Sequence, residues 1–388
     1  MYEAVIIDAI RTPIGRRRGR LANVHPIDLL AGVLGTIVQR NHLSPELVDD
    51  VIVGCVDQAG DQAVNIARNA WLSAGLPESV PAVTIDRQCG SSLQALHFAA
   101  QGIMAGAYDV AIAAGVESMS RVPMMSTVEG HGFPMTEALH KRYQLERYGR
   151  QFFDQALGAE LVAQQWRLTR EDLDRFSLES HRRAHAAQQR GQFDAEIVGV
   201  RLPDGEVFER DEGIRPDTSL EKMLGLPPAF ADLKLITAGN ASQISDGASA
   251  ALVVRRDLAE QWGMRPRARF VSFAVVGVNP VTMLTGPIPA SRKALERAGL
   301  RIDQIDLAEV NEAFASVVLA WQRELGMSWD RVNVHGGAVA LGHPLGATGT
   351  RLVATLLNAL EIRQGRYGLI AICEGGGMAN SVILERLE

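Results

Sequence analysis

The chain has 388 residues, a formal net charge of −6, 47% hydrophobic residues and 22% charged residues. This is room for two or three domains of ordinary globular composition, and the negative balance argues against a general nucleic-acid binder. No apolar run reaches the roughly 18–20 residues of a membrane span, and the N-terminus lacks the basic region of a signal peptide.

In chain order, Tyr2–Asp8 reads as a strand. The run Arg16-Arg17-Arg18-Gly19-Arg20 reads as a solvated loop in preference to a phosphate site. Pro26–Arg40 is an amphipathic helix and Asp50–Gly54 a short apolar strand, followed by Cys55 as an inert core thiol. Cys89 stands in Gln88-Cys89-Gly90-Ser91-Ser92, at the start of a helix over Ser91–Ala105, and Tyr108–Gly115 is a strand. From about Ser118 to Gly239 the chain is richer in charge, with a helix over Arg170–Arg190 and several Pro/Gly breaks. It reads as an insertion of the kind that carries ligand contacts. Arg267–Val278 returns to strand, Ser291–Ala298 to helix and Ile305–Val310 to strand. The turn Gly342-His343-Pro344-Leu345-Gly346-Ala347-Thr348-Gly349 leads into a helix over Thr348–Leu360. Tyr367–Cys373 is a strand that ends in Gly375-Gly376-Gly377.

The alternation predicts an α/β fold with a parallel or mixed sheet covered on both faces. Its order also repeats. Cys89, helix and strand to Gly115 superimpose on His343, helix and strand to Cys373, which suggests a diverged duplication. Three cysteines, an odd number, cannot form a complete disulfide framework, so reduced thiols in a cytoplasmic protein are expected.

Two thiols and an imidazole on tight turns suit covalent acyl chemistry. At a helix N-terminus, the macrodipole and free N–H groups would favour the Cys89 thiolate and could hold an oxyanion. The bland alternative is a small buried residue at a helix start. His343 is fixed by Pro344 and could take a proton from a thiol, or be a hydrogen-bonded structural histidine. Cys373 could act as acid or base near the usual thiol pKa of about 8.5. No GxGxxG opens a helix and no CxxC or HxxxH spacing occurs in these turns, so neither a dinucleotide nor a metal site is expected.

Taken together, several segments resemble the thiolase family from end to end. They are Asp8–Gly15, Cys89–Ala95, Gly115–Ser120, Thr237–Ser242, Asn311–Phe314, Gly336–Ala338 leading into Gly342–Pro344, and Cys373 with its glycines. The resemblance implies a duplicated, five-layer α/β/α/β/α fold with an inserted loop domain. Its halves would be 1–118 with 240–266, and 267–388, with the insertion at 119–239. It also implies roles. Cys89 would carry the acyl group, His343 would activate it, and Cys373 would move the proton at the α-carbon or leaving group. Asn311 would position a water in one oxyanion hole, and the N–H groups of Cys89 and Gly375 would form the other. Ser242, Ala313 and Phe314 match positions that meet the CoA pantetheine.

The implied reaction is ping-pong thiolysis of a 3-ketoacyl-CoA by CoA in fatty-acid breakdown, reversible as a Claisen condensation. Acyl-CoA and CoA would be substrates, with no permanently bound cofactor or metal, in a homodimer or homotetramer. Forming acetoacetyl-CoA from acetyl-CoA is the alternative, weakened because Phe152–Glu160 lacks the His-Met-Gly of some short-chain members. A ketoacyl synthase of the same fold would lack Cys373, and a non-catalytic CoA-binding protein would have no need of all three residues. The chain departs from the family pattern at Asp86, His335, Glu374 and Ala379. A carboxylate at Asp86 would raise the Cys89 pKa unless it is paired or turned away.

Overall fold

The computed structural model describes residues 2–387. The first half runs β1 (Ala4–Arg11), α1 (Pro26–Arg40), β2 (Asp50–Gly54), α2 (Ile66–Ser73), β3 (Ala82–Ile85), α3 (Ser91–Ala105) and β4 (Val110–Ser118). A long excursion follows, which includes α4 (Gln155–Gln165) and α5 (Arg170–Gln189), before β5 (Ser245–Arg255) closes this half. The second half runs β6 (Ala268–Gly277), α6 (Pro287–Ala298), β7 (Leu307–Val310), α7 (Ala315–Leu325), α8 (Thr348–Arg363), β8 (Tyr367–Glu374) and β9 (Met378–Arg386).

The main sheet has the order β7-β8-β9-β6-β1-β5-β4-β2-β3. Each half repeats one pairing scheme. β2 pairs β4 in parallel and β4 pairs β5 antiparallel; β7 pairs β8 in parallel and β8 pairs β9 antiparallel. β1 beside β5 corresponds to β6 beside β9. A single parallel bridge, Ala308 to Val332, stands where the first half has β3. The halves pair edge to edge through Val5–Arg269 and Ile6–Ala268 of β1 and β6.

Strand alternation sends successive residues to opposite faces, so strands covered on both sides are apolar throughout. Val110, Ile112 and Ala114 of β4 pack outward with α1 and α2. Ala111 and Ala113 pack inward with α3, α8 and the inner face of the second half. α6 and α7 cover the outer face of that half. The result is the duplicated five-layer arrangement, with α3 and α8 as the middle layer. α8 is buried from Thr348 to Leu360. Its start meets α3 so closely that a Cβ on Gly349 would collide with the Leu93 backbone. That crossing brings the turn before each helix to one point.

Buried carboxylates tie the parts together. Arg11 of β1 holds Glu196 at 2.6 Å and Asp211 in a fork at 2.7 and 2.9 Å, anchoring the excursion. Glu160 of α4 accepts the N–H groups of Lys234, Leu235 and Ile236 at 2.9–3.2 Å. In the arginine-rich loop, Arg16 pairs with Glu212 and Arg20 with Glu206, in line with a solvated loop. Cys55 is buried with Sγ 3.8 Å from Glu117, as expected of a core thiol.

Candidate active site

Cys89 ends a turn between β3 and α3. The residue before it, Gln88, has φ +49°, a left-handed conformation that costs an L-residue of this kind about 1 kcal/mol or more. Hydrogen bonds hold the turn in that shape. Ser91 Oγ donates to Gln88 O at 2.6 Å and accepts the Arg87 N–H at 2.9 Å. Asp86 accepts the Gln88 N–H at 2.6 Å and its side-chain amide at 3.1 Å. The Asp86 carboxylate is therefore turned to its own loop and is not a main influence on the thiol.

His343 follows Gly342 and sits 3% exposed. Thr348 Oγ1 donates to Pro344 O at 2.9 Å, so at 2.7 Å it accepts the Nδ1–H of His343. This fixes the neutral tautomer with a lone pair on Nε2. Asn311 Nδ2 donates to that Nε2 at 3.3 Å, while its Oδ1 is buried without a partner and could take a water. Asn311 is itself held by its N–H on Ala371 O at 3.0 Å, at the end of β7. Glu117 of β4 reaches across to the histidine turn. It accepts the N–H groups of Val56, Asp57 and Gly346 and the Gln62 amide, at 2.8–3.1 Å.

Cys373 lies in β8, one residue before its end, and Gly375 begins the turn to β9. A Cβ on Gly375 would lie 2.8 Å from Gln88 Oε1 and 3.3 Å from Gln155 Nε2. The glycine turn, the cysteine turn and the start of α4 therefore meet. The Gln155 amide and the Cys89 N–H both act to favour the Cys89 thiolate. Ser242 donates its N–H to Ala313 O at 2.9 Å, and Ala241 bridges to Phe314, so these three candidate CoA contacts share one strip.

Electrostatics depart from the sequence expectation. A helix N-terminus was expected to favour the Cys89 thiolate, yet burial pushes the thiol up to about 12, with Glu374 adding to the rise. Cys373 was expected near the ordinary thiol value and is pushed well above it by burial and by the neighbouring Cys89. Burial pulls His343 down to about 3, with Arg351 adding to the fall. At rest the Cys89 thiol and the His343 imidazole are therefore both neutral. Desolvation at 3% exposure or less outweighs the helix dipole.

Gln155, Thr348 and Glu117 were not identified as functional from the sequence. Gln155 follows the N-cap Asp154 and opens α4, and this N-terminal position was the only local signal it carried.

Residues 4–257 match the family model for the thiolase N-terminal domain, and residues 264–386 match that for the thiolase C-terminal domain. A steroid 3-ketoacyl-CoA thiolase, FadA6 of Mycobacterium tuberculosis (strain ATCC 25618 / H37Rv), is 52% identical over all of this chain and 95% of its own. A 3-oxoadipyl-CoA/3-oxo-5,6-dehydrosuberyl-CoA thiolase of Escherichia coli (strain K12) is 45% identical over the full length of both. The crystal structure of the Bacillus anthracis acetyl-CoA acetyltransferase superimposes with a TM-score of 0.90 at 38% identity, covering 100% of this chain and 99% of that one.

Proposed function

The chain belongs to the thiolase family, and on that premise we propose how its residues carry the reaction. It is an acyltransferase that cleaves a 3-ketoacyl-CoA with CoA. His343 Nε2 takes the Cys89 proton as Sγ attacks the 3-keto carbon. The bond between Cα and Cβ then breaks, leaving the acyl group on Cys89, and Cys373 protonates the departing acetyl-CoA carbanion. The Cys373 thiolate takes the proton of an incoming CoA thiol. The resulting CoA thiolate attacks the acyl-enzyme, the shortened acyl-CoA leaves, and His343 returns its proton to the Cys89 thiolate. Atoms and protons balance over the cycle, and each half-reaction is reversible.

The observation that carries this reading is the meeting of the cysteine turn, the glycine turn and the start of α4 at Cys89. Cys373, Gly375 and the Gln155 amide converge there, and Thr348 holds the proton of His343 on Nδ1, so that Nε2, which accepts from Asn311, is the basic nitrogen. The N–H groups of Cys89 and Gly375 form one oxyanion hole, and a water on Asn311 with His343 forms the other. Ser242, Ala313 and Phe314 line the pantetheine. Residues 1–118 with 240–266 form one half, 267–388 the other, and 119–239 the inserted CoA and substrate domain; Met1 and Glu388 lie outside the described residues.

CoA is a substrate in this scheme and not a resident cofactor. Among the described residues no helix is long and apolar enough to cross a membrane. A cytoplasmic homodimer or homotetramer completes the proposal. The named relatives make a bulky or carboxylated 3-ketoacyl group the first substrate to try. Thiolysis rates across a chain-length series, with acetoacetyl-CoA and a ring-bearing 3-ketoacyl-CoA included, test it. Release of acetyl-CoA with parallel double-reciprocal plots is expected. Intersecting plots, or no acetyl-CoA from any member, would contradict the ping-pong scheme.

A further inference from the structure

One buried acid beside the reaction centre has no part in the scheme above. Glu374 ends β8 directly after Cys373, is fully buried, and among the described residues has no hydrogen-bond partner on either carboxyl oxygen. Strand alternation turns it to the face opposite Cys373. There it passes under the cysteine turn, and a Cβ on residue 90 would collide with its Oε1. Gly90 is what lets the acid lie against the nucleophile's own backbone.

The charged and titratable groups facing it are few. Asp86 and Arg87 come from the turn before Cys89, and the charge of Glu374 reaches the thiols of Cys89 and, across the strand, Cys373. From β9, Asn380 donates Nδ2 to Gly90 O at 3.0 Å and keeps an unpartnered Oδ1. Arg87 does not neutralise the acid by direct contact. Its Nη1 lies 3.8 Å from Met378 Sδ, and its Nε is buried without a partner. A carboxylate left bare in such a place is costly, whereas the neutral acid is far less so.

We propose that Glu374 is a positioning residue that works as an uncharged carboxylic acid, filling the floor of the cysteine turn and suppressing both thiols when it ionises. The proposal rests on the reading of Cys89 as nucleophile. Burial pushes Glu374 up to about 8, with Asp86 adding to the rise and Arg87 opposing it. Its negative charge acts on both sulfurs in the direction that disfavours thiolate. Around neutral pH the acid is mostly neutral, and alkaline conditions set a charge against the nucleophile. The sign for stability follows. A carboxyl raised above its ordinary value loses stability relative to a neutral isostere as pH rises from about 4.5 to about 8.

Glu374→Gln keeps the shape and removes the charge. Cleavage by E374Q should match the native enzyme within about twofold near pH 7 and exceed it by about threefold or more near pH 9. Iodoacetamide alkylation of Cys89, read on its peptide without turnover, should have its midpoint about one pH unit lower in E374Q, a tenfold gain in thiolate. Profiles that superimpose at every pH, or activity lost equally at every pH, overturn the proposal. Should E374Q fail to fold, infrared difference spectra of the native enzyme serve instead. A protonated-carboxyl band present near pH 7 and lost by about pH 9 supports the proposal, and its absence near pH 7 overturns it. Because alkylation needs no turnover, failure here leaves the Cys89 assignment standing.

Discussion

The two halves place a turn at the same point of the fold, before α3 and before α8, and hold these turns by opposite means. The cysteine turn is strained at Gln88 and closed by its own side chains, Asp86 and Ser91. The histidine turn is gripped from the other half through Glu117 on Gly346, and from its own helix through Thr348. The connections after the helices differ too. Between β4 and β5 runs the long excursion that delivers Gln155, whereas β8 and β9 are joined by the short glycine turn that delivers Gly375. One scaffold copied twice thus carries a cysteine turn with a large excursion on one side and a histidine turn with a fixed tautomer on the other, the nucleophile and base sides of the proposed reaction. Asymmetric chemistry comes from the turns and connections, while the layers stay alike.

Substitutions can break that comparison, and the largest effect belongs to the reacting groups. Cys89→Ala should lower thiolytic cleavage by about 10³-fold or more, measured as acetyl-CoA release. His343→Gln, which removes the base, should cost about 10²–10⁴-fold in kcat. Thr348→Val frees the imidazole to take the wrong tautomer. It should lower kcat by about tenfold to a hundredfold with KM little changed, and nitrogen NMR of His343 should show Nε2–H gaining at the expense of Nδ1–H. Gln155→Leu tests the excursion's part. It should raise the alkylation midpoint of Cys89 by about half a pH unit and lower kcat/KM several-fold, with the fold intact by circular dichroism. The smallest expected effect is none. Burial holds His343 down at about 3, so kcat/KM should have no acid limb at the ordinary imidazole value of about 6.5. The linkage sign is that this histidine favours folding above about 6.5 and loses that contribution as pH falls toward its native value.

Much of the architecture was legible because periodicity and packing agree. The bounds expected for Pro26–Arg40, Asp50–Gly54 and Ser91–Ala105 coincide with α1, β2 and α3. β5 was harder to read, because Ser245-Asp246-Gly247-Ala248-Ser249 opens it with polar and small residues that are buried and paired across the sheet. The helix α6 starts at Pro287, a turn earlier than its apolar pattern suggests, with proline tolerated in the first turn. Cys89, His343 and Cys373 could be singled out because glycine turns frame them. Gln155 could not, since it comes from a charged excursion and reaches the sulfur only through the tertiary fold. The thiol pKa values went astray for a related reason. A helix start is visible in a sequence, but the near-complete burial of both sulfurs is not.

The central claim is that Cys89 and Cys373 stand side by side with unequal roles, one carrying the acyl group and the other a proton. Peptide mass spectrometry of the native enzyme and of Cys373→Ala, each incubated with an acyl-CoA, tests it directly. The account predicts an acyl adduct on the Cys89 peptide in both proteins, none on the Cys373 peptide, and carbon–carbon cleavage largely lost in the variant. An adduct on Cys373, or cleavage by Cys373→Ala at the native rate, would contradict it.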